Sequence, residues 1–225
     1  MSESISQIAN VLRNDLKQIE VVSNNIANAQ TKGYQAINAT QQNFLSTLNE
    51  QTPILKQQNM NMGSVQQTKQ TTDFIAVGSD YFIAEETNNR LYITKYLKLS
   101  DKGGDVVNQF GNSLNVAQAS VELSKLTLGE KGELLVNDKF VGQLETVKVD
   151  LTDVRFDEEG KPFITADKAD FSEPNVLQGF AMSSNVDVTQ QMVQLMKLSK
   201  HAEAIQKSIL TLDQMVGSGI NDIGK

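Results

Sequence analysis

Both ends of the chain carry apolar residues at seven-residue intervals, and this pattern constrains the fold more than any other feature. Near the N-terminus the apolar positions are Ile5, Ile8, Leu12, Ile19, Val22 and Ile26, and Asp15 interrupts their seam. Near the C-terminus the series is unbroken and comprises Val188, Leu195, Leu198, Ala202, Ile205, Ile209, Leu212 and Val216. This spacing is typical of a helix that packs against another helix, and so narrow a stripe does not stabilise a lone helix. We therefore predict two terminal helices that pair with each other or with a neighbouring molecule.

Size and composition exclude several classes of protein. A chain of 225 residues that is 39% hydrophobic suffices for one ordinary core or for a small β domain with a helical extension, and the change in pattern favours the second. The net charge of −7 argues against nucleic-acid binding, which needs clustered Lys and Arg. Without cysteine, neither a disulfide framework nor a thiolate metal site is available. We also expect no cleavable signal peptide, and no apolar stretch reaches the roughly 20 residues that a membrane span needs.

Four segments are predicted, and they give an α+β fold in which the terminal helices pair as a coiled-coil-like unit and the centre is an all-β domain. Residues 1–34 form the N-terminal helix and its end, 35–70 an extended linker, 71–180 the β domain and 181–225 the C-terminal helix. The linker holds 14 Asn or Gln in 36 residues, a composition that buries too little apolar surface to order without partners. Eight of the nine Phe lie in the β domain, in short runs bounded by turn residues, which favours hairpins in a meander or small barrel.

Local signals mark the ends of both helices. The first helix is predicted over residues 4–28, and Gly33 supplies the left-handed conformation that is common just past a helix end. Asp187, with Gln190 three residues later, is predicted to cap the start of the second helix. That helix is expected to fade near the Gly-Ser-Gly sequence at 217–219.

Several strings of residues resemble the rod and hook family of bacterial flagellar axial proteins. Residues 22–34 read Val-Ser-Asn-Asn-Ile-Ala-Asn-Ala-Gln-Thr-Lys-Gly-Tyr, which is similar to the N-terminal signature of that family. Residues 73–83 read Asp-Phe-Ile-Ala-Val-Gly-Ser-Asp-Tyr-Phe-Ile, which is similar to the entry into its β domain. The resemblance continues through the Ser-Asn-Val-Asp sequence at 184–187 and through Lys200, Glu203, Lys207, Asp213 and Met215. It spans nearly the whole chain, and its motifs occur in the correct order.

The resemblance implies a structural subunit of the flagellar basal-body rod. In that family the terminal helices pack in the inner wall of a hollow helical tube of like subunits and other rod proteins, and the rod transmits torque from motor to hook. A location in the basal body across the periplasm is also implied, as is export through the flagellar type III apparatus without a cleaved signal peptide. The implied assembly interface comprises the apolar positions of both ends together with Asn24, Asn25, Asn28, Gly33, Tyr34, Ser184 and Asn185.

Some of these residues allow more than one role. Asn24, Asn25 and Asn28 either fix the register between subunits, since buried amides must be hydrogen-bonded, or face solvent near a weakened helix end. Gly33 either caps the first helix or allows a close contact. The chain departs from the family at 94–99, where it reads Thr-Lys-Tyr-Leu-Lys-Leu, and this bears on the subtype. The short linker favours a proximal rod component.

No catalytic, cofactor or metal site and no small-molecule substrate is expected. His201 has no cysteine or acidic trio at ligand spacing, and Ser218 lies in a tail that no strand precedes. The acidic residues at 153–159 lack the spacing of a calcium loop. The methionines near the C-terminal helix serve either as adaptable interface atoms or as core, and they are Met182, Met192, Met196 and Met215.

Two further hypotheses come from other classes of protein. The first is a secreted β-domain binding module or adhesin whose helices form an intramolecular hairpin or stalk. It predicts ordered, protease-resistant termini in the monomer. The second is an enzyme with a site in the β domain, which requires a convergent polar pocket.

Overall fold

A computed structural model describes residues 2–40, 54–102, 105–109, 111–112, 122–171 and 173–223. It has an N-terminal helix, a C-terminal helix and a central strand-rich region, so the α+β class is confirmed. The chain divides into two compact units. The helical unit comprises Met1–Ala29, Ile37–Gln57 and Val186–Lys225, and the strand unit comprises Gln30–Ala36 and Gln58–Asn185.

The helical unit contains two long helices that contact each other. Helix α1 spans Ser2–Ala27 and helix α2 spans Val188–Ile223. The predicted cap of α2 is present, because the backbone N–H of Gln190 donates to Asp187 Oδ1 over 3.0 Å. The prediction that α2 fades near 217–219 is wrong, since the helix continues to Ile223. A glycine inside a helix costs only about 1 kcal/mol relative to alanine, and no proline follows to stop the helix.

Three short strands lie in the region predicted as an extended linker. Strand β1 spans Ile37–Thr40 and pairs with β2, which spans Leu55–Gln58, while β3 spans Val65–Gln67. Backbone pairing therefore orders the described parts of a segment whose composition offers little apolar surface. The part of the predicted linker at 41–53 lies outside the described residues.

The remaining short strands belong to the strand unit, as β3 does. They are β4 (Asp73–Ala76), β5 (Asp80–Thr87), β6 (Arg90–Thr94), β7 (Tyr96–Lys98), β8 (Ser100–Lys102), β9 (Asp105–Val107), β10 (Leu126–Leu128), β11 (Glu133–Val136), β12 (Lys139–Gln143), β13 (Thr146–Lys148), β14 (Arg155–Phe156), β15 (Pro162–Thr165), β16 (Asp170–Phe171), β17 (Val176–Gln178) and β18 (Phe180–Met182). The largest sheet has the order β14-β15-β6-β5-β13-β16, and its neighbouring strands are antiparallel. Because distant strands are neighbours in this sheet, it is not a simple meander.

Smaller sheets and tight turns complete the strand unit. Three-stranded sheets have the orders β10-β11-β12 and β17-β4-β7, and β3 pairs with β18 and β8 with β9. Asn88 and Asn89 join β5 to β6 with φ of 51° and 63°, and Asn137 and Asp138 join β11 to β12 with similar values. Two successive left-handed residues are typical of a type I′ turn, whose twist matches that of the flanking strands. Asn88 and Asn89 are thus among the turn residues that bound the short runs of the predicted β domain.

Three apolar clusters hold the strand unit together, and two of them are larger than the third. The first contains Phe74, Phe82 and Leu134 among its buried residues, and the second contains Tyr81 and Val147. Burying each large side chain contributes about 1.5–3 kcal/mol, so these clusters dominate the stability of the unit. Among the described helices, none combines the length and apolar character that a membrane span needs.

Candidate assembly surface

Asn25 is the most deeply buried polar residue of α1, with 1% of its surface exposed. Its Oδ1 accepts from the backbone N–H of Ile37 and its Nδ2 donates to the carbonyl of Ile37, both over 2.9 Å. Nδ2 also lies 3.1 Å from Oε1 of Gln191 on α2. A side-chain amide offers a donor and an acceptor, so Asn25 pairs with one peptide as a strand would. This residue therefore joins α1 to β1 and to α2 within the chain.

Asp15 and His201 form the second polar contact between the helices. Oδ2 of Asp15 lies 2.6 Å from Nδ1 of His201. The Asp15 side chain is 7% exposed, whereas the His201 side chain is 58% exposed. The sequence indicated Asp15 as an interruption of the seam and His201 as a residue without ligand neighbours. The structure instead pairs the two, because a buried carboxylate needs a hydrogen-bond donor.

The apolar series of α2 lies on its less exposed face. Ala202 is buried, and the half-buried members are Val188, Leu195, Leu198, Ile205, Ile209 and Leu212. The Val216 side chain lies outside the described residues. Gln191 and Ala202 belong to this face, and Gln191 contacts Asn25 of α1. The seven-residue pattern thus locates the covered side of α2.

On α1 the buried positions differ from the predicted seam. Val22 is buried, but Ile8, Leu12, Ile19 and Ile26 are only half-buried, and the Ile5 side chain lies outside the described residues. The deeply buried positions include Asn14, Asp15 and Asn25. Polar residues therefore occupy much of the covered face of α1, and several apolar residues of the predicted seam keep exposed surface.

Both helices present apolar side chains to solvent. Leu16 is exposed on α1, and the exposed apolar residues of α2 are Met192, Val193, Met196, Leu210 and Met215. Met192 and Met196 are one turn apart, so they share one side of α2 with Val193 next to them. Large apolar side chains clustered on an exposed helix face are typical of an interaction surface. No sequence pattern separated these methionines from core positions.

Gly33 and Tyr34 belong to the strand unit. Gly33 has a φ of +74°, as predicted, but it lies six residues beyond the last residue of α1 and so does not cap that helix. Its N–H donates to the carbonyl of Met182 over 2.6 Å. A Cβ at this position would lie 2.1 Å from Cδ1 of Tyr96, so Gly33 serves a close contact. Burial raises the pKa of Tyr34.

Tyr96 links this contact to a buried carboxylate. Its hydroxyl donates to Oδ1 of Asp73 over 3.0 Å. Burial, followed by the neighbouring Asp73 charge and this hydrogen bond, raises the pKa of Tyr96. Oδ2 of Asp73 has no hydrogen-bond partner among the described residues. The hydroxyl of Tyr96 is therefore the contact on which this fully buried carboxylate depends.

Asn185 joins two backbone segments of the strand unit. Oδ1 accepts from the N–H of Ala36 over 2.7 Å, and Nδ2 donates to the carbonyls of Asn59 and Asn61 over 3.1 and 2.7 Å. Ser184 beside it is half-buried. In the helical unit Asn24 is exposed, and Asn28 Nδ2 donates to the carbonyl of Asn24 over 2.9 Å, as at a helix end.

Lys95 is a buried residue that sequence reasoning passed over. It is 2% exposed, and its Nζ donates to the carbonyls of Gly78 and Asp80, each over 2.6 Å. The ammonium also lies 3.8 Å from the centre of the Tyr81 ring. Burial lowers the pKa of Lys95 to about 8, although the Asp80 charge acts in the opposite direction. In the sequence, Lys95 stood out only because it lies in the segment 94–99, where the chain departs from the pattern of the rod and hook family.

In the part of the chain that the structure describes, no group of three or more His, Asp or Glu side chains is placed to hold a metal ion. A cavity of about 430 Å³ in the strand unit has Glu85, Glu86 and Glu145 among its described lining residues, but none of these lining residues is His, Ser or Lys.

The signature residues thus make a helix-pairing contact, a close packing contact and backbone hydrogen bonds within the two units. Two family models match the chain. Residues 177–223 match the model described as Flagellar basal body rod FlgEFG protein C-terminal, and residues 12–35 match the Flagella basal body rod protein model. These matches support a rod- and hook-type basal-body protein, so the predicted resemblance is confirmed. They also support a structural role in the flagellar basal body. No curated protein matches the chain significantly.

Proposed function

We propose that this chain is a subunit of the flagellar rod that polymerises through its terminal helices into the shaft between motor and hook. The supporting observation is the exposed apolar surface on the matched helices, above all Met192, Val193 and Met196 on α2. Burying one such side chain against a neighbour contributes about 1.5–3 kcal/mol, and a filament repeats the contact in every subunit. The half-buried residues Leu12 and Ile19 of α1 add to this surface.

In the proposed assembly, the helices of neighbouring subunits pair as a coiled-coil-like bundle in the wall of a tube. Contacts between different surfaces of identical subunits do not close into a dimer, and they generate a helical filament when the rotation does not close a ring. Helices with seven-residue apolar series suit such packing, because each series meets another along its length. Like subunits and other rod proteins are the partners, and the short linker favours a position in the proximal rod. The rod crosses the periplasm.

Assembly through half-covered helices also suits export before folding. Ordering a residue costs about 1–2 kcal/mol of backbone entropy, which the polar contacts of an isolated helix pair offset only in part. We infer that the helices gain much of their stability on incorporation. The flagellar type III apparatus would then pass the chain unfolded and without cleavage of a signal peptide.

The proposal is tested by adding charge to the exposed apolar face of α2. Met192→Asp combined with Met196→Asp should abolish motility in cells whose own copy is deleted, because buried charges are costly at an interface. Gln190→Asp combined with Ser208→Asp is the matched control, since both positions are exposed on the same helix but lie on the side away from Met192 and Met196. Far-UV circular dichroism of both purified proteins should retain the helical signal. Normal swimming of the methionine variant with intact helices would refute the proposal.

A binding module with an intramolecular helical hairpin is the second candidate. It is favoured by the contacts that Asn25 and Asp15 make within the chain, which need no second subunit. Limited proteolysis of the monomer with intact-mass analysis separates the two candidates. Helices that resist proteolysis favour the hairpin, whereas trimming of both helices from a stable strand unit favours folding on assembly.

A further inference from the structure

The apolar series of the two helices do not define a unique pairing. Each series repeats every seven residues, so sliding α1 along α2 by seven residues, about 10 Å, again places apolar residues opposite one another. Apolar contacts alone therefore leave several registers close in free energy. A residue that distinguishes these registers must be polar, buried and partnered in only one of them.

In each of two contacts between the helices, a buried polar side chain of α1 meets a polar side chain of α2. Asn25 contacts Gln191, and Asp15 contacts His201. Asn25 and Asp15 are ten residues apart on α1, and their partners are ten residues apart on α2 in the opposite order. Both contacts therefore belong to one antiparallel register, with equal rise along both helices.

A slip of seven residues breaks both contacts. In one direction, Leu198 comes opposite Asn25, so the buried amide faces an apolar side chain. In the other direction, the position opposite Asn25 precedes Val188, the first residue of α2. Ser208 or Gln194 would then face Asp15, but neither slip supplies partners for both buried groups. Asn25 keeps its two hydrogen bonds to Ile37, so a slip removes the α2 partners of one N–H of its amide and of the Asp15 carboxylate. Leaving a buried donor or acceptor without a partner is costly, whereas a buried apolar contact is exchanged at little cost.

We propose that Asn25 with Gln191 and Asp15 with His201 form a register lock, which selects one antiparallel pairing of α1 and α2 against slipped pairings. The lock explains why the covered face of α1 carries polar residues in a seam that the apolar series could have filled. It holds for the helix pair of the isolated chain, so it stands or fails independently of polymerisation.

Disulfide crosslinking reads the register directly, because the chain contains no cysteine. Val11 and Ile205 each lie one turn along from Asp15 and His201, so Val11→Cys with Ile205→Cys reports the native register. Val11→Cys with Leu212→Cys and Val11→Cys with Leu198→Cys report slips of seven residues in the two directions. A disulfide forms only between Cα atoms within about 7 Å, which separates these registers. The full chain is oxidised and the linked peptides are identified by mass spectrometry.

With the lock intact, we expect the native crosslink to dominate. Removing the lock with Asp15→Leu, His201→Leu and Gln191→Leu should raise the slipped crosslinks relative to the native one about five-fold or more, the ratio that one buried hydrogen-bonded pair maintains. The exchange Asp15→His with His201→Asp keeps the pair in reverse order and should keep the native crosslink dominant. Persistence of the native crosslink alone in the triple variant, with its helical signal intact, would overturn the proposal.

A second comparison covers the case in which the triple variant loses its helical signal. Asp15→Leu with His201→Leu replaces one pair by apolar side chains and leaves Gln191 in place. We expect this variant to show more slipped crosslinks than the exchange variant. Equal crosslinking patterns in the two variants would also overturn the register lock.

Discussion

Replacing Gly33 with alanine would make a methyl group clash with the ring of Tyr96. The new Cβ would lie 2.1 Å from Cδ1 and 2.8 Å from Cγ of Tyr96, and both distances are too short for carbon atoms that are not bonded to each other. The ring has little room to move, because Tyr96 is buried and its hydroxyl is bonded to Asp73. Gly33 is itself held in place, because its N–H donates a hydrogen bond to the carbonyl of Met182.

Two terms give the magnitude for Gly33→Ala. An alanine held at a φ of +74° costs about 1–2 kcal/mol relative to glycine. Displacing the ring breaks the hydrogen bond to the carboxylate of Asp73, which is already short of one partner, and this costs about 1–3 kcal/mol. We therefore expect the free energy of unfolding of the strand unit to fall by about 2–5 kcal/mol.

The assay is urea unfolding followed by tyrosine fluorescence. All four tyrosines lie in the strand unit, at 34, 81, 92 and 96, so their emission does not report on α1 and α2. With about 1–3 kcal/mol per molar urea, the midpoint should fall by about 1–3 M. Gly78→Ala is the matched control, because Gly78 has a φ of +69° but nothing lies within 4 Å of its added Cβ. If Gly33→Ala is no more destabilising than Gly78→Ala, the clash with the Tyr96 ring does not lower the free energy of unfolding, and the reasoning is wrong.

Three further predictions concern other parts of the molecule. Asn25→Leu should lower the unfolding free energy of the helical unit by more than about 2 kcal/mol in urea titrations followed by far-UV circular dichroism, whereas the exposed Asn24→Leu should change it by less than about 0.5 kcal/mol. Leu198→Asp combined with Ile205→Asp should abolish motility and helix pairing while the tyrosine-monitored unfolding of the strand unit stays unchanged, and motile cells would contradict this. The folded pKa of Lys95, about 8, lies below its unfolded value of 10.5, so the unfolded chain binds more protons between these values. Stability should rise from pH 8 to about 10 by up to about 1.4 kcal/mol per pH unit, and Lys95→Met should remove this slope in urea titrations.

Local signals predicted local structure well. Asp187 caps α2 because a short carboxylate side chain reaches the N–H of the third helical residue, and this depends on neighbours in sequence alone. Asn88 and Asn89 form the β5–β6 turn because asparagine tolerates the left-handed conformation. The end of α2 was misjudged because the weak penalty of two glycines was treated as a stop signal.

Contacts between distant residues were beyond the reach of such signals. Gly33 was predicted to be left-handed and is so, but its contact with Tyr96 depends on a residue 63 positions later in the chain. Asp15 looked like a defect in a seam, because a seven-residue pattern records apolar positions and says nothing of polar partners. His201, which completes the pair, lies 186 residues away. The placement of functional residues on helices was therefore predictable, whereas their partners were not.

Two signature asparagines show why this residue type is required. Asn25 in the helical unit pairs with both backbone groups of Ile37, and Asn185 in the strand unit accepts from Ala36 and donates to two carbonyls. Aspartate matches the size of asparagine but lacks the donor, leucine lacks both functions, and glutamine adds a methylene that a packed site does not accommodate. Each position needs one donor and one acceptor at a fixed reach from the backbone. The two signature asparagines thus serve hydrogen bonding within each unit. Their side-chain oxygen and nitrogen atoms are already hydrogen-bonded inside the chain, so contacts between subunits must be made by other atoms.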